Sequence, residues 1–258
     1  MRAAVVLLTL WAWSGMAEPF DHNHTAWTAI LKAHVSTVGP ISTVNYKALK
    51  SEVGALNAYT TTLLAVSRAE FDKFTENQKL AFLINLYNAL TVKLVVDHYP
   101  IKSIKNLGSR SFANPTASPW KTKFFKLFGE DRHLDAIEHE MIRKWFNEPR
   151  IHFAVVCASV GCPALRNEAF VSEKLELQLS EAALVFLSDR SRNRIDVEAK
   201  KLEISAIFKW YGGDFVKKHG SLESFLAEFL TKDVKVQKSI RAKEFSISYL
   251  DYDWSLNE

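Results

Sequence analysis

Residues 75–98 read TENQKLAFLINLYNALTVKLVVDH, and the architecture expected for the chain follows from them. Thr75 followed three positions later by Gln78 is a capping-box pattern, which predicts the start of a helix. Pro100 predicts that the helix ends near His98, since the residue before a proline avoids helical geometry. The segment is apolar on nearly all sides, which is typical of a helix buried at the centre of a protein. We therefore predict a long central helix here.

Two amides interrupt the apolar surface of this helix. Asn85 and Asn88 are three residues apart, so they lie on one strip of the helix. A buried amide without a partner costs about 1–3 kcal/mol, so each must find one. Either these side chains tie the helix to neighbouring backbone, or they belong to a functional site. The sequence leaves both interpretations open.

The remaining elements are predicted from apolar periodicity and from turn residues. Predicted helices cover residues 25–38, 46–65, 135–147, 172–187, 206–211 and 221–230, and predicted strands cover 123–128, 151–156, a hairpin over 194–205, and 245–254. The fold class is α+β, with a helical N-terminal half and a buried central helix packed on a small, mainly antiparallel sheet. No linker or internal repeat divides residues 18–258, so we expect a single domain there.

The first 17 residues have the pattern of a secretory signal peptide. Arg2 precedes a short apolar run, and small residues lead to a predicted cleavage after Ala17. The expected location is therefore periplasmic or secreted. Removal of this segment lowers the formal charge from +4 to +3, which is too weak to indicate a nucleic-acid partner. Polar residues break every later apolar run, so no membrane span is predicted.

Residues 151–163 read IHFAVVCASVGCP and contain both cysteines of the chain. The β-branched and aromatic residues of 151–156 predict a buried strand. Cys157 follows that strand directly, and Cys162 lies five positions later. A strand that ends in a loop of small residues can place a thiol at the edge of a cleft.

A second polar signal lies on the helix that begins at Asp135. Glu138 points into the middle of an apolar face, and His139 lies at the edge of that face. A carboxylate directed at the core is costly unless it is paired or hydrogen-bonded. Glu138 can reach back to the backbone N–H of Asp135 as a helix cap, or it can serve a functional site. Both interpretations remain open.

Three chemistries can be built from these residues. The cysteines can form a disulfide, which an exported protein would retain and which adds only about 2 kcal/mol across so short a loop. Cys157 can act as a nucleophile with a histidine as base. In a strand His152 and Cys157 would face opposite sides, so His139 is the better base. The third possibility is a metal site of thiolates and imidazoles.

Six motifs in order resemble the DUF547 domain family, and the resemblance covers the chain from about Leu80 onward. They are Asn85-Leu86-Tyr87-Asn88-Ala89-Leu90, Ile137-Glu138-His139, Pro149-Arg150-Ile151-His152-Phe153-Ala154, Cys157-Ala158-Ser159-x-x-Cys162-Pro163, Ile207-Phe208-x-Trp210-Tyr211 and Tyr252-Asp253-Trp254. In outline the family is similar to the papain/transglutaminase-like superfamily, in which a central helix packs on an antiparallel sheet. There the nucleophilic cysteine opens the central helix. Here that helix carries asparagines instead, so the papain triad does not transfer directly.

Together these observations favour a cysteine-dependent hydrolase or transferase that acts on an amide or thioester. In this hypothesis Cys157 attacks, His139 is the base, Glu138 orients His139, and Asn85 or Asn88 polarises the carbonyl. The expected partner is a small-molecule or peptide ligand, and no cofactor or metal is expected. The alternative is a non-catalytic envelope binding protein with a structural disulfide between Cys157 and Cys162.

Overall fold

The computed structural model of the chain describes residues 19–108 and 118–258. The predicted signal peptide, residues 1–17, lies outside the described residues. The described part is an α+β fold, as predicted, with a buried helix at its centre.

The elements follow one another along the chain with short connections. The α-helices are Thr25–His34, Tyr46–Ser51, Val53–Ala65, Arg68–Phe71, Glu76–His98, Arg143–Trp145, Leu175–Ser188, Ile207–His219, Leu222–Phe229 and Val234–Arg241. A π-helix covers Ala136–Ile142, and short 3₁₀ helices cover Ile104–Leu107, Pro119–Lys121, Pro149–Phe153 and Ser172–Lys174. The strands are Val35–Val38, Ile41–Val44, Phe125–Leu127, Glu130–Arg132, Arg194–Asp196, Lys201–Ser205 and Ser246–Leu250.

The central helix, Glu76–His98, is confirmed together with its capping box. The Thr75 hydroxyl accepts from the Gln78 N–H, and the Gln78 side chain accepts from the Thr75 N–H. From Leu80 to Val96 every residue except Lys93 is buried. The helix is long and apolar enough to cross a membrane, but 89% of its most apolar window is buried inside the protein. That burial is typical of the core helix of a globular domain.

The two asparagines tie this helix to backbone elsewhere in the chain. The Asn88 amide donates to the Ala154 carbonyl at 2.9 Å, and its oxygen accepts from the Val156 N–H at 3.0 Å. Asn85 makes the same pair of bonds with both backbone groups of Phe170, at 2.7 and 3.0 Å. Each amide therefore supplies the hydrogen bonds that a neighbouring strand would otherwise provide.

The predicted strand over 151–156 is wrong. Pro149–Phe153 is a 3₁₀ helix, opened by Pro149 and capped by the Glu148 carboxylate, which accepts from the Arg150 N–H. Pro149 suits this position because proline has no N–H to lose and its φ is already helical. Beyond the helix, the Asn88 side chain forms the hydrogen bonds that the buried backbone needs. This apolar segment can therefore be buried without pairing in a sheet.

Four other boundaries differ from the prediction. The first helix ends at His34, and Val35–Val38 then pairs antiparallel with Ile41–Val44 around Gly39. The helix predicted for 46–65 is divided at Glu52, whose backbone is not helical. The last strand is shorter than predicted and covers only Ser246–Leu250.

The fourth difference bears on the site. The helix predicted for 206–211 runs through Gly212 and Gly213 to His219. Buried Phe215 and the ion-paired Asp214 follow the two glycines, and their contacts outweigh the weak helix propensity of glycine.

A three-stranded sheet brings the end of the chain to the cysteines. Lys201–Ser205 pairs antiparallel with Arg194–Asp196 and parallel with Ser246–Leu250. The last strand therefore delivers residues 251–254 next to the segment that holds the thiols, where the Gly161 N–H donates to the Asp253 carbonyl at 2.8 Å.

We predict that Asn88→Ala destabilises the fold strongly. The substitution leaves the buried Ala154 carbonyl and Val156 N–H without partners, at about 1–3 kcal/mol each. A loss of about 2–6 kcal/mol in the free energy of unfolding is expected from urea denaturation. Asn77→Ala, on the exposed first turn of the same helix, is the matched control and should change stability little. Equal effects of the two variants would contradict the assigned role.

Candidate functional site

An open cavity of about 270 Å³ lies where the central helix, the cysteine segment and the end of the chain meet. Six aromatic side chains line it: Tyr87, Trp120, Trp210, Tyr211, Tyr252 and Trp254. Its polar wall residues are Asp135, Glu138, His139, His152, Cys157 and Cys162. An aromatic enclosure with a few convergent polar groups is the usual form of a ligand site.

Three of the five predicted site residues line this cavity. Cys157, His139 and Glu138 come from separate segments and meet there. Asn85 and Asn88 are not among the lining residues, because their amides are engaged with backbone. Asn88 acts on the site indirectly, by holding the backbone immediately before Cys157.

Both cysteines are free thiols, and their Sγ atoms lie 2.6 Å apart. The disulfide of the alternative hypothesis is therefore not present in this structure. The Cys162 Sγ accepts from the Cys157 backbone N–H at 2.8 Å. The Cys157 Sγ also lies 3.1 Å from the Tyr252 hydroxyl and 3.1 Å from the Ser159 hydroxyl.

These contacts stabilise the thiolate form of Cys162 more than the thiolate form of Cys157. Burial raises the pKa of Cys162, but hydrogen bonds from the Cys157 thiol, the Tyr252 hydroxyl and two backbone N–H groups outweigh it and lower the pKa to about 7. Burial, together with the bond to Cys162, raises the pKa of Cys157. One proton is thus shared between two sulfur atoms, with Cys157 as its donor.

The backbone around the thiols is fixed by close contacts. A Cβ on Gly161 would lie 2.9 Å from the Asp253 carbonyl, so only glycine fits there. From the other side the Arg192 guanidinium donates to the carbonyls of Cys162 and Pro40. The two sulfur atoms are therefore held by the fold on both sides.

His152 lies in a hydrogen-bonded and stacked environment at the cavity wall. Its Nε2 lies 2.8 Å from Asp214, and its ring stacks on Tyr211 with a centroid distance of 3.9 Å. Burial lowers the pKa of His152. Although burial opposes it, hydrogen bonds from His152 and Arg143 hold the pKa of Asp214 well below its usual range. His152 is therefore neutral, with its proton on Nε2 facing the carboxylate and a lone pair on Nδ1.

His152 and Cys157 would face opposite sides only if residues 151–156 formed a strand. In the 3₁₀ helix Pro149–Phe153 the alternation of faces does not apply, and both His152 and Cys157 line the cavity. The buried Nδ1 of His152 has no hydrogen-bond partner.

His139 is held by Arg143 and not by Glu138. The Arg143 guanidinium lies 3.1 Å from the His139 Nδ1, whereas the nearest Glu138 oxygen is 3.8 Å away. A guanidinium can only donate, so Nδ1 accepts and the ring proton of neutral His139 lies on Nε2. The Asp135 Oδ1 lies 3.9 Å from that Nε2 atom.

Glu138 does not show the pattern of a helix cap. Its Oε1 atom is buried without a hydrogen-bond partner, although the Tyr211 hydroxyl donates to the Glu138 side chain. Burial, the charge of Glu138 and this bond raise the pKa of Tyr211. The helix opens as the π-helix Ala136–Ile142, a form that occurs often at functional sites.

Sequence reasoning missed four residues of the site. Tyr211 and Tyr252 stand in motifs that carried the family resemblance, so those motifs could have indicated them. Asp214 lies beyond residue 211, where the sequence predicts the end of that helix, and Arg143 gave no signal of its own. Within 19–108 and 118–258 no group of three or more His, Cys, Asp or Glu side chains is placed to hold a metal ion.

The fold and the cavity define an α+β domain with a thiol pair at an open, aromatic site. Residues 71–187 match the family model described as "Protein of unknown function, DUF547". The resemblance to the DUF547 family is therefore confirmed over this segment. It includes the central helix, Glu138, His139 and both cysteines, and it ends before Tyr211, Asp214 and Tyr252. No curated protein and no solved structure matches the chain.

We predict that the thiols titrate in two widely separated steps. Thiolate absorbance in the ultraviolet should rise first around pH 7, as Cys162 loses its share of the proton, and again only at strongly alkaline pH. Tyr252→Phe removes one donor to sulfur and should move the first step to higher pH. A single step for both thiols near the ordinary cysteine pKa of about 8.5 would contradict the shared proton.

Proposed function

We propose that the protein is a cysteine-dependent hydrolase or transferase that acts on an amide or thioester, with Cys157 as the nucleophile. The observation that carries this proposal is the thiol pair. Cys157 is partly exposed at the cavity wall, and its proton already points to an acceptor with a pKa near neutrality. A nucleophile hydrogen-bonded to its base is the arrangement that covalent catalysis needs.

The proposed step assigns the base to Cys162 instead of His139. As the Cys157 sulfur bonds to the carbonyl carbon, its proton passes to the Cys162 thiolate and the carbonyl oxygen becomes negative. When the intermediate collapses, the leaving group departs with the proton from Cys162, and an acyl thioester remains on Cys157. Attack by water or by a second acceptor on this thioester releases the acyl group and regenerates the thiol.

Two further residues support the chemistry. Burial raises the pKa of Tyr252, so its hydroxyl stays protonated next to Cys157 and can donate to the developing oxyanion. His139 lines the same cavity and can hydrogen-bond to the substrate. Asn88 holds the backbone before Cys157, so it is a positioning residue. It does not take the expected role of polarising the substrate carbonyl.

The test is hydrolysis of a model thioester by the mature chain. Cys157→Ser should abolish hydrolysis of the thioester. It should also prevent accumulation of an acyl-enzyme detectable by mass spectrometry. Cys162→Ser keeps the nucleophile but removes its base, so kcat should fall about 100-fold or more at pH 7 and the rate should climb with pH. A Cys157→Ser variant as active as the wild type would overturn the proposal.

The second candidate is an exported binding protein in which the two cysteines form a disulfide. The observation that favours it is the 2.6 Å separation of the sulfur atoms, from which a bond can form with little movement. The two thiols would give two electrons and two protons to a disulfide oxidant of the export compartment. Export is itself part of this proposal and rests on the pattern of residues 1–17.

Thiol counting separates the two candidates. Full-length protein expressed for export should begin at Glu18 by N-terminal sequencing if the signal peptide is cleaved as proposed. In denaturant, two free thiols support the catalytic proposal, and none before reduction but two after it support the disulfide. Protein retained in the cytoplasm with Met1 intact would contradict export.

A further inference from the structure

Glu138 carries a buried polar atom without a hydrogen-bond partner at the cavity wall. Its side chain is only 6% exposed, and its Oε1 atom has no hydrogen-bond partner. The nearest ring nitrogen, Nδ1 of His139, is 3.8 Å away and is occupied in accepting from Arg143. A buried carboxylate oxygen without a donor is costly, and it marks a place where a ligand can supply one.

The charges around Glu138 favour a cation. Among the described residues, the cavity wall contains two carboxylates, Asp135 and Glu138, and no lysine or arginine. Arg143 lies nearby, but it forms two hydrogen bonds with Asp214, at 2.6 and 3.0 Å. The wall therefore offers a cationic ligand two carboxyl groups, while the nearby Arg143 is engaged with Asp214.

The aromatic wall suits the same kind of ligand. Trp120, Trp210 and Trp254 line the cavity, and a cation gains energy over the face of an indole ring. One such contact already exists at the rim, where the Lys105 ammonium lies 3.7 Å from the centroid of Trp254. A volume of about 270 Å³ fits a small molecule or one end of a chain.

We infer that the cavity binds a substrate carrying a protonated primary amine, whose ammonium group donates a hydrogen bond to the Oε1 atom of Glu138. The inference deepens the proposed function and rests on it, because the amine would orient the acyl group toward Cys157. A quaternary ammonium cannot satisfy Oε1, since it has no hydrogen to donate. The recognised group is thus an amine from a chain N-terminus, a lysine side chain or a small metabolite.

The test compares two probes of the same shape, phenethylamine and phenethyl alcohol, by titration calorimetry at neutral pH. The wild-type chain should bind the protonated amine about tenfold or more tightly than the alcohol, as a charge-assisted hydrogen bond requires. Glu138→Gln should abolish that preference and leave the affinity for the alcohol unchanged. Glu198→Gln, an exposed position outside the cavity, is the matched control and should keep the preference.

Two further arms identify the source of the amine and separate this inference from the catalytic proposal. Alanine amide represents a chain N-terminus and Nα-acetyllysine amide a side chain, and tighter binding of either supports the inference. All binding is repeated with Cys157→Ser, which has no nucleophilic thiol. If the chain prefers the amine but shows no Cys157-dependent hydrolysis, the catalytic proposal is wrong and the inference about the amine stands. Equal wild-type affinities for amine and alcohol would overturn the inference, whether or not Glu138→Gln folds and whether or not hydrolysis is observed.

Discussion

The structure depends on one pair of hydrogen bonds between the Asn88 side chain and the backbone on either side of Val155. These bonds join the buried central helix to the segment that ends in Cys157. An amide can replace a strand partner because it offers one donor and one acceptor at backbone-like spacing. The cysteine segment is therefore free of any sheet, and it can turn sharply enough to bring both thiols to the cavity.

Around the cavity the charges are arranged in two groups. On one side hydrogen bonds from the Cys157 thiol, the Tyr252 hydroxyl and backbone N–H groups outweigh burial and lower the pKa of Cys162 to about 7. On the other side Asp214 is neutralised by Arg143 and fixes the tautomer of His152. Glu138 stands between these groups with one oxygen unsatisfied. This is the kind of imbalance that proteins tolerate at sites and avoid in their cores.

Part of the site lies within the segment that matches the family model, and part of it lies beyond that segment. The segment matching DUF547 supplies the thiols, Glu138 and His139. The chain beyond residue 187 supplies Tyr211, Asp214 and Tyr252, through a helix that continues past two glycines and a strand that pairs parallel to Lys201–Ser205. The tyrosine that contacts Cys157 therefore comes from the far end of the chain, and the thiol environment is complete only when both parts pack together.

The sequence by itself determined the central helix, its cap and the α+β class, because apolar periodicity and capping are local properties. It also indicated that Cys157, His139 and Glu138 would meet. Only the tertiary structure decided that residues 149–153 form a 3₁₀ helix, that Asn85 and Asn88 bind backbone, and that Arg143 holds His139. Those outcomes depend on partners 60 or more residues away for the amides and on the packing of separate helices for Arg143 and Asp214. Local propensity carries no information about such partners, and a buried polar group takes whichever donor the fold brings within reach.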